Sequence, residues 1–168
     1  MISALLLATV TVAHPKNVEQ LVGKPAPHFE LPRLTKGAVS LTDLKGNPVI
    51  LVIGSTRESA PASREWMVQL ERNFRRTDTK VFQVVVLDNP WFLPEFAVKN
   101  MLRDFIPKHG YDLVLIEWST AFGVAYGIPK DDITRVLILD REGVVCWLHV
   151  GERTDQAMVT LLTQVDKL

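Results

Sequence analysis

Four short apolar runs constrain the fold more than anything else in this chain. Residues 48–53 (Pro-Val-Ile-Leu-Val-Ile), 81–87 (Val-Phe-Gln-Val-Val-Val-Leu), 113–116 (Leu-Val-Leu-Ile) and 136–139 (Val-Leu-Ile-Leu) show almost no polar alternation. A strand with one wet face alternates; a run that does not belongs in a sheet covered on both sides. The intervening segments have helical spacing. Trp66, Met67, Leu70 and Phe74 fall on one face of a helix expected over residues 60–75, and Pro61 sits in its first turn, where a missing N–H costs nothing. A second helix is expected over 94–105, closed by Ile106-Pro107, and a short one over 119–126. The last spans 155–167, capped by Thr154, with Met158, Leu161, Leu162 and Val165 on its apolar face. Asp88-Asn89-Pro90 ends the second run, residues 140–143 make a hairpin turn with Gly143 at positive φ, and residues 144–149 pair back antiparallel. Residues 22–31 are extended and residues 41–46 form a short helical turn ending at Gly46. The expected architecture is α/β, three layers, with a central mixed β-sheet and helices on both faces.

With 168 residues the chain makes one domain with a sizeable core. Lys+Arg and Asp+Glu balance at 19 each, which gives no support to a nucleic-acid or anionic-membrane partner. The single cysteine, Cys146, excludes an internal disulfide. His14, His28, His109 and His149 match no metal-ligand spacing, so no metal and no cofactor are expected. Residues 2–12 are apolar apart from Ser3, Thr9 and Thr11, and Thr11-Val12-Ala13 supplies the small residues a signal peptidase reads. This run is too short to span a membrane and fits the apolar region of a secretory signal, although no Lys or Arg precedes it. Residues 1–13 are therefore expected to be a signal, with a single domain over 14–168 and export to the periplasm or the exterior. A buried strand or a short apolar anchor is the alternative, and membrane association is expected only if the segment is retained.

Three motifs carry a family resemblance. The first is Val22-Gly23-Lys24-Pro25-Ala26-Pro27-His28-Phe29-Glu30-Leu31, followed by Leu41, Leu44, Lys45 and Gly46; the second is Gly123-Val124-Ala125-Tyr126-Gly127-Ile128; the third is Leu137-Ile138-Leu139-Asp140-Arg141-Glu142-Gly143-Val144-Val145. Their order and spacing resemble the redoxin branch of the thioredoxin-like superfamily, which includes peroxiredoxins and envelope disulfide reductases. The resemblance implies a thioredoxin-like fold and reactive cysteines near residues 54–64, where this chain has none. Laid on the reductase motif, the cysteine pair falls on Ala60 and Ser63; laid on the peroxiredoxin Thr-x-x-Cys signature, the peroxidatic position falls on Ser59, and Val52 stands where that signature has a preceding proline. Thr134 or Arg135 takes the place of the thioredoxin cis-proline, and Arg135 also matches a peroxiredoxin arginine that stabilises the thiolate. A serine hydroxyl neither ionises near neutral pH nor forms a disulfide. The pattern is similar to a cysteine-less thioredoxin-like protein: either a group of small exported bacterial proteins, or, at residues 136–147, the mitochondrial assembly chaperone for the membrane part of ATP synthase, which implies a mitochondrial location and a role as an assembly factor for a membrane complex.

The candidate binding loop comprises Ser55, Thr56, Arg57, Glu58, Ser59, Ser63 and Arg64, with Arg135 beside it. Its place at the carboxyl end of a central strand is where ligands of open α/β sheets bind. Free amides at the helix start and the guanidinium groups of Arg57 and Arg64 suit an anionic group. A loop merely solvated, with Ser59 as N-cap, is the competing reading. By resemblance, this edge meets an extended peptide or a protein partner. No catalytic residue is assigned, and redox inactivity is expected. Residues 89–96, Asn-Pro-Trp-Phe-Leu-Pro-Glu-Phe, either expose an apolar partner surface or pack on the adjacent helix. Cys146, alternating with Val144 and Leu148, reads as a small buried hydrophobe. The alternative is a redoxin-type thiol oxidoreductase or peroxidase that uses Cys146.

Overall fold

The computed structural model describes residues 15–87 and 93–168. The expected signal, the strand end at residues 88–90 and the first part of the aromatic stretch lie outside them.

The chain enters through a single-turn 3-10 helix, Val18–Leu21, capped by Asn17, whose side chain accepts from the Gln20 N–H. A small antiparallel ribbon follows, β1 (Glu30–Pro32) with β2 (Ala38–Ser40), and then a 3-10 turn, Leu41–Leu44. Next come β3 (Val49–Gly54), α1 (Ala60–Phe74), β4 (Lys80–Val86), α2 (Glu95–Phe105), a 3-10 helix at Lys108–Leu113, β5 (Val114–Glu117), α3 (Ala121–Tyr126), β6 (Arg135–Leu139), β7 (Val145–Val150) and α4 (Asp155–Val165). Five strands form one sheet in the order β5-β4-β3-β6-β7. Strands β3, β4 and β5 run parallel, β6 lies antiparallel to β3, and β7 lies antiparallel to β6. Three of the four apolar runs, β4, β3 and β6, are its inner members, and the fourth is the edge strand β5, which the segment at Arg33 and Leu34 covers.

Each central strand feeds two cores. Leu51 and Ile53 of β3 and Leu137 of β6 face one layer with Phe122 and Tyr126 of α3 and with Val18 and Leu21 of the entry segment. Ile50, Val52, Val136 and Ile138 face the other, against Trp66, Met67, Leu70 and Phe74 of α1 and Met158, Leu161 and Val165 of α4. Helices thus cover both faces. Thr154 caps α4 by accepting the Ala157 N–H at 3.0 Å, as its sequence position demands.

Two local features depart from expectation. The β1–β2 ribbon has no counterpart in the periodicity reading. Cys146 does not share a face with Leu148. The β6–β7 register slips between Ile138 and Leu139, so that Leu139 opposes Val145, Ile138 opposes Trp147, and Cys146 is the extra residue of a β-bulge. The bulge turns Cys146 and Trp147 toward the α1–α4 layer, while Leu148 packs with the α3 layer. Cys146 is half-buried, and its thiol donates to the Ile138 carbonyl at 3.3 Å.

Candidate functional site

The antiparallel β3–β6 register sets Ile53 opposite Arg135. It therefore brings the residues after β3 beside those before β6, although about eighty positions separate them along the chain. The two loops are bound together by hydroxyls. The Ser55 hydroxyl is buried, lies 2.8 Å from the Asp131 carbonyl oxygen and 3.1 Å from that of Pro129, and faces the Asp131 N–H at 3.3 Å. The Thr56 hydroxyl donates to the Asp132 carboxylate at 2.9 Å.

A second hydroxyl chain lies deeper, at the start of α1. Thr134 Oγ1 is 3.1 Å from the Ser59 carbonyl, so Thr134 donates there. Its single proton is thereby committed, and Ser63 Oγ, 3.0 Å away, donates to Thr134. Ser59, Ser63 and Thr134 each expose no more than 1% of their surface. The Ser59 hydroxyl donates to the Thr56 carbonyl at 2.8 Å. Ser59 does occupy the N-cap position of α1, but it makes no side-chain capping bond: with φ −75° and ψ −11° its backbone is already helical, and its hydroxyl turns back into the loop. Gly54 is packed under these groups; a Cβ there would stand 2.7 Å from Ser59 Oγ and 3.0 Å from Ser63 Oγ.

Arg135 is buried and does not face the loop as a free cation. Its guanidinium grips Asp131 with two bonds, at 2.7 and 2.8 Å, and donates to the Ile133 carbonyl at 2.9 Å. The Ile133 N–H in turn donates to Asp131 at 3.1 Å. Hydrogen bonding from Arg135 holds the Asp131 carboxyl below the usual aspartate range, against a smaller opposing effect of burial. The outward groups are different ones. Arg57, Glu58 and Arg64 are exposed. Arg57 lies over the ring of Phe105, 5.5 Å from its centroid, and that ring is 54% exposed. Arg64 borders a shallow surface depression with Glu65, Val68, Gln69 and Arg153.

Of the sequence-picked residues, Thr56, Ser59 and Ser63 belong to one bonded network through Thr134, Ser55 is bound separately to residues 129–131, and Arg57, Glu58 and Arg64 form the wet rim. Asp131, Asp132 and Phe105 complete the site without being legible as part of the loop, and Thr134, which the resemblance marks only as a counterpart of the cis-proline, joins them. The Asp131–Arg135 spacing of four residues is the one local signal for the first three. Among the described residues no group of His, Cys, Asp and Glu is placed to hold a metal.

The hydroxyl chain has a measurable signature. Thr134→Val keeps the shape but leaves the buried Ser63 hydroxyl without its acceptor, which is expected to destabilise the fold by about 2 kcal/mol. Ser63→Ala/Thr134→Val removes both partners, and the Ser59 carbonyl still accepts the Ser63-position N–H at 3.0 Å. The double variant is therefore expected to recover much of that loss in urea titrations.

A mixed sheet in which the loop joining β3 to α1 faces the start of β6 is a thioredoxin-like fold. The chain belongs to the Redoxin family, whose model matches residues 21–164. The fold recurs in the exposed lipoprotein thioredoxin of Streptococcus pneumoniae, 22% identical, with 82% of this chain and 99% of that one covered at a TM-score of 0.65. It recurs in a DsbE-type thiol:disulfide interchange protein of Chlorobium tepidum, 22% identical, 86% and 97% covered, TM-score 0.67. A 2-Cys peroxiredoxin of Plasmodium vivax is 16% identical, 88% and 82% covered, TM-score 0.63. No curated protein matches the sequence.

Proposed function

We propose that this chain is a redox-silent redoxin domain of the cell envelope that binds a protein segment at the end of the sheet formed by residues 55–64 and 129–135. The observation that carries this reading is the buried hydroxyl chain of Ser59, Ser63 and Thr134. By the family resemblance Ser63 or Ser59 falls where a reactive thiolate would sit and Thr134 at the cis-proline place, and here they hold neutral groups whose protons are already used. The rim is left to do the work: exposed Arg57, Glu58 and Arg64, the Phe105 ring beneath Arg57, and Ile133, which is 43% exposed. The apolar run at residues 2–12 and the likeness to an exposed lipoprotein thioredoxin support an envelope location.

Cys146 does not rescue a thiol mechanism. It sits beside Ile138, at the far end of β6 from Arg135, roughly 10 Å of strand away from the loop. Burial, followed by the nearby Asp140 charge, pushes its thiol pKa up. The thiolate fraction at neutral pH is accordingly smaller than that of a free cysteine. Purified protein is expected to show no catalysed reduction of insulin disulfides and no peroxide consumption. Thiol labelling is expected to be slower than for free cysteine at pH 7 and to go on accelerating above pH 9. Turnover that disappears in Cys146→Ser would reverse this reading and place the chemistry on the β6–β7 hairpin. A photo-crosslinker at position 57 or 58 tests the binding role directly. The same protein should be captured from both positions, and it should be lost when the crosslinker is moved to exposed Val159 on α4.

A further inference from the structure

The balance of 19 cationic and 19 acidic residues conceals a local excess at the end of the domain opposite the loop. Helix α1 leaves the loop at Ala60 and ends about 20 Å away, in the turn that leads into β4. Residues 71–80 at this end carry Arg72, Arg75, Arg76 and Lys80, all exposed, against two carboxylates. Both carboxylates are engaged from other elements. That of Glu71 meets the His109 ring nitrogen at 3.3 Å, and that of Asp78 meets the Arg141 guanidinium at 2.8 Å. Among the described residues the side chains of Arg72, Arg75 and Arg76 make no hydrogen bond and no ion pair. The backbone beneath them is fixed. The Arg75 N–H bonds the Glu71 carbonyl at 3.1 Å, the N–H and the hydroxyl of Thr77 both donate to the Phe74 carbonyl at 3.1 Å, and the Phe74 ring is buried. The exposed charges around this end balance in sign, Asp43, Glu142 and Asp166 against Lys24, Lys45 and Lys167. A helix C-terminus attracts cations, which accounts for Arg72 and Arg75; that attraction fades within the last turn and does not account for Arg76 or Lys80.

We infer that this end of the domain docks on a bilayer surface that carries anionic phospholipid. The docking is independent of the reading of the loop. Loose side chains on a fixed backbone decide the kind of anion. A site for one bound anion holds its donors convergent through further hydrogen bonds, and none of these three guanidiniums is so held. A field of laterally mobile headgroups needs only several long cationic side chains at one end of the molecule. Single-stranded nucleic acid is held by cations interleaved with aromatic faces on which bases stack. The other exposed residues of the turn, Asn73, Thr77 and Asp78, supply no such face. The distribution of charge also favours a flat surface over a long polyanion. The field of an anionic bilayer fades within a Debye length, about 10 Å at 0.1 M salt. Exposed Glu58, Asp132, Glu152 and Asp155 at the loop end lie beyond that reach, whereas a polyanion wrapped around the domain would meet them. Docked by its basic end, the domain holds residues 55–64 away from the bilayer, on the aqueous side.

The test is flotation of the full chain with phosphatidylcholine vesicles, with and without one third phosphatidylglycerol, at low salt. Neutral vesicles report any binding through the apolar residues 2–12, and the gain on adding phosphatidylglycerol reports the basic end. Partition onto the anionic vesicles is expected to be stronger by about tenfold or more. Most of this gain should vanish at about 1 M salt, where the screening length falls to about 3 Å. Arg75→Gln/Arg76→Gln should reduce the gain by about tenfold or more, and Arg72→Gln/Lys80→Gln should reduce it comparably. Lys16→Gln/Lys36→Gln makes the same change in net charge at exposed positions elsewhere and should leave it unchanged. Equal binding to both kinds of vesicle overturns the proposal. So does a gain that all three double variants reduce alike, or a single-stranded oligonucleotide that binds the basic end more tightly than the anionic vesicles do.

Discussion

Replacing Trp66 with alanine is expected to be the most damaging single side-chain truncation in the domain. Trp66 is fully buried in the layer between the sheet and helices α1 and α4. Its ring lies 5.3 Å from that of His149, and its Nε1–H donates to the Gly151 carbonyl at 3.3 Å. Removing a buried indole deletes its contacts and leaves a cavity that the surrounding β-branched side chains cannot fill, a loss of about 4 kcal/mol. The effect reaches the site. Trp66 fixes α1 against the end of β7, and the first turn of the same helix carries Ser63. A urea midpoint that falls by less than the equivalent of about 1.5 kcal/mol would mean that α1 is held mainly by Leu70 and Phe74. Trp66→Phe retains most of the volume and should recover more than half of the loss, less the contribution of the indole hydrogen bond.

The second large effect is expected at Gly127. It ends α3 in the left-handed region, at φ +61° and ψ 36°, where an L side chain is strained by about 1 kcal/mol or more. Space is the greater problem. A Cβ on Gly127 would lie 2.7 to 3.0 Å from the backbone C, Cα and N of Asn17. Gly127→Ala cannot be absorbed by a side-chain rotation. It must push away the entry segment, whose Val18 and Leu21 complete the core on the α3 side. A total cost of about 3 kcal/mol is expected. Native-state proteolysis should show new cleavage before residue 22 well below the global unfolding midpoint. Equal loss without early cleavage would mean that the entry segment and the sheet open as one unit.

The parts of this fold that could be read from sequence are those decided within a few residues. Unalternating runs such as residues 48–53 have one outlet, a sheet covered on both faces, and α1 and α4 announce themselves by spacing and by Pro61 and Thr154. The β1–β2 ribbon was invisible because each strand has three residues, one of them Pro32, and gains its stability from bridging to β5 rather than from its own pattern. Strict alternation through the hairpin places Cys146 on the wrong face, because it does not allow for the bulge. Asp140, whose carboxylate takes the N–H groups of Glu142 and Val144, closes the turn in a register that leaves one residue over. The candidate site was half legible. The loop and its polarity are written locally, but the Ser63–Thr134 contact spans 71 residues and exists only because β3 and β6 are antiparallel neighbours.

The grip of Arg135 on Asp131 has a consequence for recognition. Between them these two side chains engage both main-chain groups of Ile133, the residue that otherwise offers a ready strand edge beside the loop. A visiting segment therefore finds no free amide or carbonyl at Ile133 to pair with, and gains little there from being extended. It must be read through its own side chains, against the Ile133 methyls, the Arg57–Phe105 pair and the charges around them. Backbone pairing accepts almost any sequence, whereas side-chain reading selects among sequences. Under the proposed binding role, this surface would discriminate among partners rather than hold peptides in general.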